Sequence, residues 1–556
     1  MMIRKILFLI LICYTGQLVL IAQTRERVYV QTDKQSYLSG ELLWLKLYTT
    51  DADGKLQVLS KIGYVELIRD SIPEVQIKVD IQNGTGAGWI ELPVMLPTGY
   101  YRMIAYTRYM RNEGENIFFE KKIAVINPVH QNAFLNANEA TTTFSFASYE
   151  KNNASFGLST NKSSFRKRDK GEIRLNGLPA ENISLGISIA GLDPSLETTP
   201  TIDKWLHQLE TQGKPAMEAR YLPEYEGAII DGTMVDIRTG ASAADENALC
   251  LLSFPGPELQ LFAGQPFTSG DVSFYTQCVT GKKELTTTAI ASSDKKYRIN
   301  LQSSYATHSP ELLPDLMPDS TWLEYLKIRN LSIQVTYAFL ADSLSKIREL
   351  ATCSSLLPQK RYVLDNYTRF PNMEEVFIEF ITNAGIRRTD AGRKFSMLNE
   401  LTGNNSTNTL VLLDNVPVTD HELMINYNPL TIKMIDMYFG RYVFGGYAFD
   451  GVIAFYSYDN DYPGITFSEN TQVFDYEGTQ PYRYFYAPHY GETGATSPLP
   501  DFRHTLLWEP DVNTNGQQTM IIPFTTSDIP GKYVITIEGA GENGSVFHAR
   551  QTIVVE

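Results

Sequence analysis

RVYVQTDKQSYLSGELLWLKLYTT, residues 27–50, decides the reading of the first domain. In its second half Leu43, Leu45 and Leu47 fall on one side, and Trp44, Lys46 and Tyr48 on the other. That period of two is a strand signature. Asp51 to Gly54 supplies a turn. Further strand-like runs follow at YVELI (64–68), VQIKVDI (75–81), GWIELP (88–93), GYYRMIAYT (99–107) and KKIAVIN (121–127). Short strands at regular spacing with turn residues between them predict a β-sandwich over 24–128.

The bulk numbers agree with a folded, strand-rich chain. Of 556 residues, 43% are hydrophobic and 20% charged, the ordinary range for core-forming protein. The 32 Tyr and 27 Phe sit largely in alternating segments, which favours strands. At about 100–200 residues per domain the length predicts three to five domains. A net charge of −15 repels phosphate backbones, so nucleic acid is not an expected partner.

The N-terminus predicts export. Arg4 and Lys5 precede apolar runs at Ile6–Ile12 and Leu18–Ala22, with polar residues from Gln23 onward. This is the layout of a secretory signal peptide over 1–23. Cys13 lacks the small residues before it that a lipidation site needs. No later stretch is long and apolar enough to span a bilayer as a helix. Three cysteines remain: Cys250, Cys278 and Cys353. Cys250 and Cys278 share one predicted β-domain and are the pair a disulfide would join; three buried free thiols are the equal alternative.

Beyond 128 the expected order is a second sandwich with linker over 129–212, a third sandwich over 213–307, and a helical connector over 308–366. A small α+β domain over 367–460 and a C-terminal sandwich over 461–556 complete it, with completion of the last sheet by earlier strands left open. In the connector, Leu323, Leu326, Ile328, Leu331 and Val335 follow rough helical spacing after Ser320. In the C-terminal segment Tyr533, Ile535 and Ile537 share one strand face.

Two motifs carry resemblances. Thr32, Asp33, Lys34, Tyr37, Gly40 and Glu41 resemble the TDKxxYxPGE opening of macroglobulin-type domains, with Ser39 where that family has proline. LPTGYYRMIAYTRYMRN and FFEKKIAVINP resemble exported macroglobulin-like proteins of Bacteroidetes-type bacteria. The 129–212 segment resembles a second such unit, and the opening at 221 resembles carboxypeptidase-regulatory-like sandwiches. Asp414, Val416, Pro417, Ile435, Asp436, Gly440, Gly446, Gly451, Val452 and Ile453 are similar to the plug domain of TonB-dependent receptors. Asn415 stands where that family has glycine, and Asn tolerates positive φ. The resemblances imply a mainly β chain: tandem immunoglobulin-like or macroglobulin-type sandwiches plus a small α+β plug-like domain.

A transporter barrel is not expected with it. Some 22 strands of roughly 9–11 residues each would take on the order of 200 residues. Fewer than a hundred follow Asn460. The plug-like domain is therefore expected to stand free or to meet a barrel supplied by another protein.

No catalytic or metal-binding constellation is legible in the sequence. Gly-Cys-Gly-Glu-Gln, the thioester motif of protease-trapping macroglobulins, is missing around every cysteine. No two histidines lie three or four residues apart, and His421-Glu422 does not continue to a second histidine. No GxSxG elbow or P-loop appears. Glu374–Glu375 and Asp459–Asp461 read as solvated turn carboxylates. Tyr482, Tyr484, Phe485, Tyr486 and Tyr490 read either as an interface or as packing within a loop. The expected protein is a non-catalytic scaffold without cofactor or metal. It is located in the periplasm or at the outer membrane, and is held there by partners rather than by spanning. Expected partners are other envelope proteins, an outer-membrane β-barrel among them. The alternative is a thioester-less protease-binding protein.

Overall fold

The computed structural model describes residues 25–128, 156–193, 200–211, 220–291, 295–316, 320–344, 346–348, 356–390, 392–399, 402–488, 490 and 499–556. The predicted signal peptide, Cys13, Cys353, His130 and His489 lie outside them. The chain is mainly β. It divides into two compact units: residues 1–225, 307–349 and 479–556 form one, and residues 226–306 and 350–478 the other.

Unit 1 begins with the predicted first sandwich. Arg27–Thr32, Leu42–Thr50 and Thr85–Glu91 form one sheet. Ser36–Leu38, Phe119–Ile126, Gly99–Thr107, Ile62–Arg69 and Ile72–Asp80 form the other. The sheets approach so closely at Gly63 that a Cβ there would collide with Leu47 Cδ2. Leu43, Leu45 and Leu47 fill the inner face. The opposite face is buried too: Trp44, Lys46 and Tyr48 are each at most 5% exposed. Lys46 Nζ donates to Ser184 Oγ at 2.8 Å, and Tyr48 OH donates to the Glu538 carbonyl at 2.9 Å. Burial pushes the Lys46 ammonium down to about 7. The side of the alternation that carries the lysine thus docks on the next sandwich.

That second sandwich is discontinuous. Its five-stranded sheet runs Ser164–Phe165, Val546–Val555, Gly531–Gly541, Ile183–Gly191, Thr505–Asn513. Its three-stranded sheet runs Thr519–Thr525, Lys170–Asn176, Gly157–Thr160. One core joins Ile173, Leu175, Leu185, Ile187, Ile189, Ile522, Phe524, Ile535 and Ile537. The expected boundaries put the strands at 157–191 and 505–555 in two domains, 129–212 and 461–556; they share sheets, the alternative left open for the C-terminal sandwich. The reason lies in Ile183–Gly191. It is almost entirely buried and needs a partner on each edge, and both partners, Gly531–Gly541 and Thr505–Asn513, come from the C-terminal segment. Helix α1 (Ile202–Thr211) and helix α2 (Ser320–Leu344) complete unit 1.

Unit 2 holds the third sandwich, also closed from a distance. Asp271–Tyr275, Ile229–Asp236 and Tyr297–Leu301 form one sheet. Leu261–Gly264, Leu249–Ser253, Lys282–Ile290 and Thr471–Glu477 form the other. The last strand lies beyond the boundary expected at 307, and pairs with Lys282–Ile290 over seven residues. Between Tyr297–Leu301 and Thr471–Glu477 the chain builds an α+β body. Its main sheet runs Lys360–Val363, Ile432–Phe444, Tyr447–Ser457, Leu410–Leu413, Val416–Pro417. A smaller sheet (Ala384–Thr389, Gly392–Asn399, Asn404–Ser406) and helices α3 (Met373–Glu379) and α4 (His421–Ile425) cover one face. The other face packs Leu410, Leu412, Tyr438 and Val452 against Leu249 and Leu251 of the third sandwich.

The cysteine expectation is corrected. Cys250 is a buried free thiol and Cys278 is disulfide-bonded, so the two are not joined to each other. Cys250 points into the third core beside Met234, its sulfur 3.9 Å from the methionine sulfur. Desolvation there pushes the thiol up to about 12. No described helix is long and apolar enough to cross a membrane.

Candidate functional site

The first motif folds into a closed polar cluster. Tyr37 OH donates to Asp33 Oδ1 at 2.7 Å, and Trp44 N donates to the same oxygen at 3.2 Å. Thr505 Oγ1 donates to Asp33 Oδ2 at 2.8 Å, which joins the motif to the second sandwich. Thr32 Oγ1 donates to the Lys34 carbonyl and accepts from Lys121 Nζ. Gly40 turns the chain at φ +88, a region favouring glycine, just after Ser39 in the place of the expected proline. Glu41 closes the turn by accepting from Leu38 N at 3.0 Å.

Arg329 of α2 completes this cluster, and the sequence reading does not single it out. Its Nη2 donates to Glu41 Oε2 at 2.6 Å, and its Nη1 lies 3.4 Å from Asp193 Oδ1. It also donates to Ser36 Oγ and to the Ser36 carbonyl. The side chain is 1% exposed. Tyr325, one turn earlier, donates a hydrogen bond to Asp193. His504 Nε2 lies 2.7 Å from the tyrosine oxygen and therefore donates to it.

The electrostatics follow from burial and pairing. Burial alone would raise Glu41, but Arg329 and then Lys34 outweigh it and hold the carboxyl below its usual range. Burial, then Arg329 and Lys34, drives His504 well below an ordinary histidine, so it is neutral. A signal for Arg329 existed: with Trp322 and Leu326 it falls at spacings of four and three, on one helix face. Trp322 and Leu326 are buried, whereas Ile328 and Leu331, expected on the packed face, are half exposed.

The second motif is also structural in its contacts. Asp414, at φ +49, accepts from Ser457 N and Oγ at 2.7 Å each and from Tyr462 N at 2.8 Å. Asp436 is fully buried and takes two bonds of 2.7 Å from Arg361. Val416, Pro417, Ile435, Val452 and Ile453 are buried. Gly440 and Gly446 sit at φ +109 and +86. A Cβ on Gly451 would run into Met397 Sδ. Asn415 adopts φ +71 and its amide reaches the carbonyls of Phe254, Gly256 and Glu258. The departure from glycine thus ties the α+β body to the third sandwich.

The remaining candidates resolve into packing and surface pairs. Glu374 and Glu422 both pair with Arg393, and His421 Nδ1 accepts from Phe395 N. Among the described residues no group of three or more His, Cys, Asp or Glu is placed to hold a metal. The aromatic segment lies along the first sandwich. Gln480 N donates to the Lys78 carbonyl, Trp89 Nε1 to that of Pro481, and Phe485 meets Trp44 edge to face at 5.7 Å. Tyr490 OH donates to Asp501 at 2.9 Å.

Fold and cluster define a multidomain β-sandwich protein with a helix keyed into its first domain. No family model matches the sequence, and no curated protein does. Among solved structures the chain is similar to trypsin-activated α2-macroglobulin from Escherichia coli. The identity is 10%, the cover 95% of this chain and 41% of that one, and the TM-score 0.25. The native E. coli α2-macroglobulin gives 11%, 96% and 40%, with TM-score 0.25. The E. coli adhesin FdeC gives 10%, 50% and 65%, with TM-score 0.14. The chain spans about two fifths of the length of the macroglobulins it matches. At such scores these likenesses carry no function across.

Proposed function

We propose that the chain is an exported, non-catalytic scaffold of a Gram-negative envelope that works by binding other proteins. Its α+β body, plug-like in its motif, is the part that engages an outer-membrane barrel or the partners of one. The observation that carries this reading is how that body is mounted. It has a core of its own; in the chain it follows helix α2 of unit 1, and after it the chain runs into Thr471–Glu477, the closing strand of the third sandwich. Its C-terminal end is therefore anchored in the third sandwich, and one face of its sheet packs on that sandwich, which suits a module held on a rigid support for contact.

The test is affinity purification of the full chain from native envelopes, with chemical cross-linking read by mass spectrometry. A barrel protein cross-linked to residues 367–460 is the expected result. Partners cross-linked only elsewhere would remove the role of the α+β body. Inhibition of added proteases with no envelope partner would replace this reading by the protease-binding one.

A further inference from the structure

Thr307 is where the chain returns from unit 2 to unit 1, and the next residue is a histidine held by two acids. The His308 side chain is 4% exposed. Its Nε2 lies 2.8 Å from Glu66 Oε1, and its Nδ1 lies 3.1 Å from Glu115 Oε1. A neutral imidazole has one N–H and one lone pair. With carboxylates at both nitrogens, the neutral ring would set a lone pair against a carboxylate oxygen. Only the doubly protonated ring satisfies both contacts.

The surroundings hold the two acids in place. Glu66, from Ile62–Arg69, is fully buried and accepts from Tyr106 OH at 2.6 Å and from Gln76 Nε2 at 2.7 Å. Glu115 accepts from Ser309 N and from Ser309 Oγ, the latter at 2.9 Å. Arg102, from Gly99–Thr107, donates to the Ser309 carbonyl and pairs with Glu120 and Glu311. Tyr106 and Phe118 flank the imidazole edge to face. The charged or titratable groups around His308 are thus Glu66, Tyr106, Arg102, Glu115, Glu120 and Glu311.

We propose that His308 is a proton-operated clamp: as imidazolium it pins residues 307–311 to the first sandwich, and loss of its proton releases them. Burial works against the charged ring, but Glu66 and then Glu115 outweigh it and raise the histidine above its ordinary value. The sign follows. A group raised in the folded state stabilises fully below its unfolded value, and that contribution is lost as pH rises through the folded value. The clamp is therefore closed under mildly acid conditions and opens toward alkaline ones, on one of the chain's connections between its units.

The test uses the full chain and hydrogen exchange from pH 6 to 9, corrected for intrinsic rate. Peptides covering 303–316 should gain exchange by about tenfold or more across the His308 titration, while Gly99–Thr107 stays protected. Labelled-histidine NMR, assigned by loss of the signal in His308→Gln, should place that titration above the ordinary 6.5. His308→Gln should make exchange of the connection independent of pH. Should that variant fail to fold, Glu115→Gln serves, moving the transition down by about one pH unit. A His308 that titrates at or below the ordinary histidine value, or a connection whose protection is flat through its titration, would overturn the clamp.

Discussion

At the scale of the residue, the deciding side chain in unit 1 is Arg329. With Lys34 it makes the buried Glu41 tolerable, and it pairs with Asp193 as well. Removing one member of such a set leaves uncompensated charge, which costs about 3–5 kcal/mol. Arg329→Leu should destabilise unit 1 by that order in a urea titration. Arg329→Lys should lose less, keeping the charge but not the several donors that reach Glu41 and Ser36 together. Equal stability of the leucine variant and the parent would show that the cluster reorganises at no cost. Asn415 makes the same point from the other unit. Sequence alone allows its positive φ, but the three carbonyls that its amide reaches belong to a loop 157–161 positions away. Nothing local to Asn415 could name them.

At the scale of the element, strands are easier to read than the surfaces they bury. The alternation in Leu42–Thr50 divides the residues between the same two faces as the structure, since a period of two admits no other division. It could not reveal that Lys46 and Tyr48 meet a second sandwich, because long-range burial leaves no periodic trace. Helix α2 is legible from Leu323, Leu326, Ile328, Leu331 and Val335, but these are spread too widely around the helix to choose one face. The structure chooses Trp322, Leu326 and Arg329. Trp322→Ala should therefore cost about 3–5 kcal/mol. Ile328→Ala should stay within about 0.5–1 kcal/mol, because half its surface is already in water. Thermal melts of the two variants distinguish the faces, and a reversed order would mean that the helix docks the other way round.

At the scale of the whole molecule, the chain closes two of its sandwiches with strands from far along the sequence. Such pairing carries a loop-closure cost and no local signal, which is why domains in linear order are the natural reading of the sequence. The consequence is that each unit is completed only late in the chain. Unit 2 contains every described strand of its own sheets, Thr471–Glu477 included. Unit 1 takes Thr505–Asn513, Thr519–Thr525, Gly531–Gly541 and Val546–Val555 from the C-terminal segment. A chain ended after Pro500 would leave Ile183–Gly191 with bare edges on both sides and much of its core exposed. Limited proteolysis of that chain should cut within 156–193 while 226–306 and 356–478 stay protected. Adding residues 501–556 as a separate peptide should restore protection, because the missing strands bring back both backbone partners and core. Protection of 156–193 in the shortened chain without the peptide would mean that this sandwich does not depend on its distant strands, and the shared-sheet arrangement would fall with it.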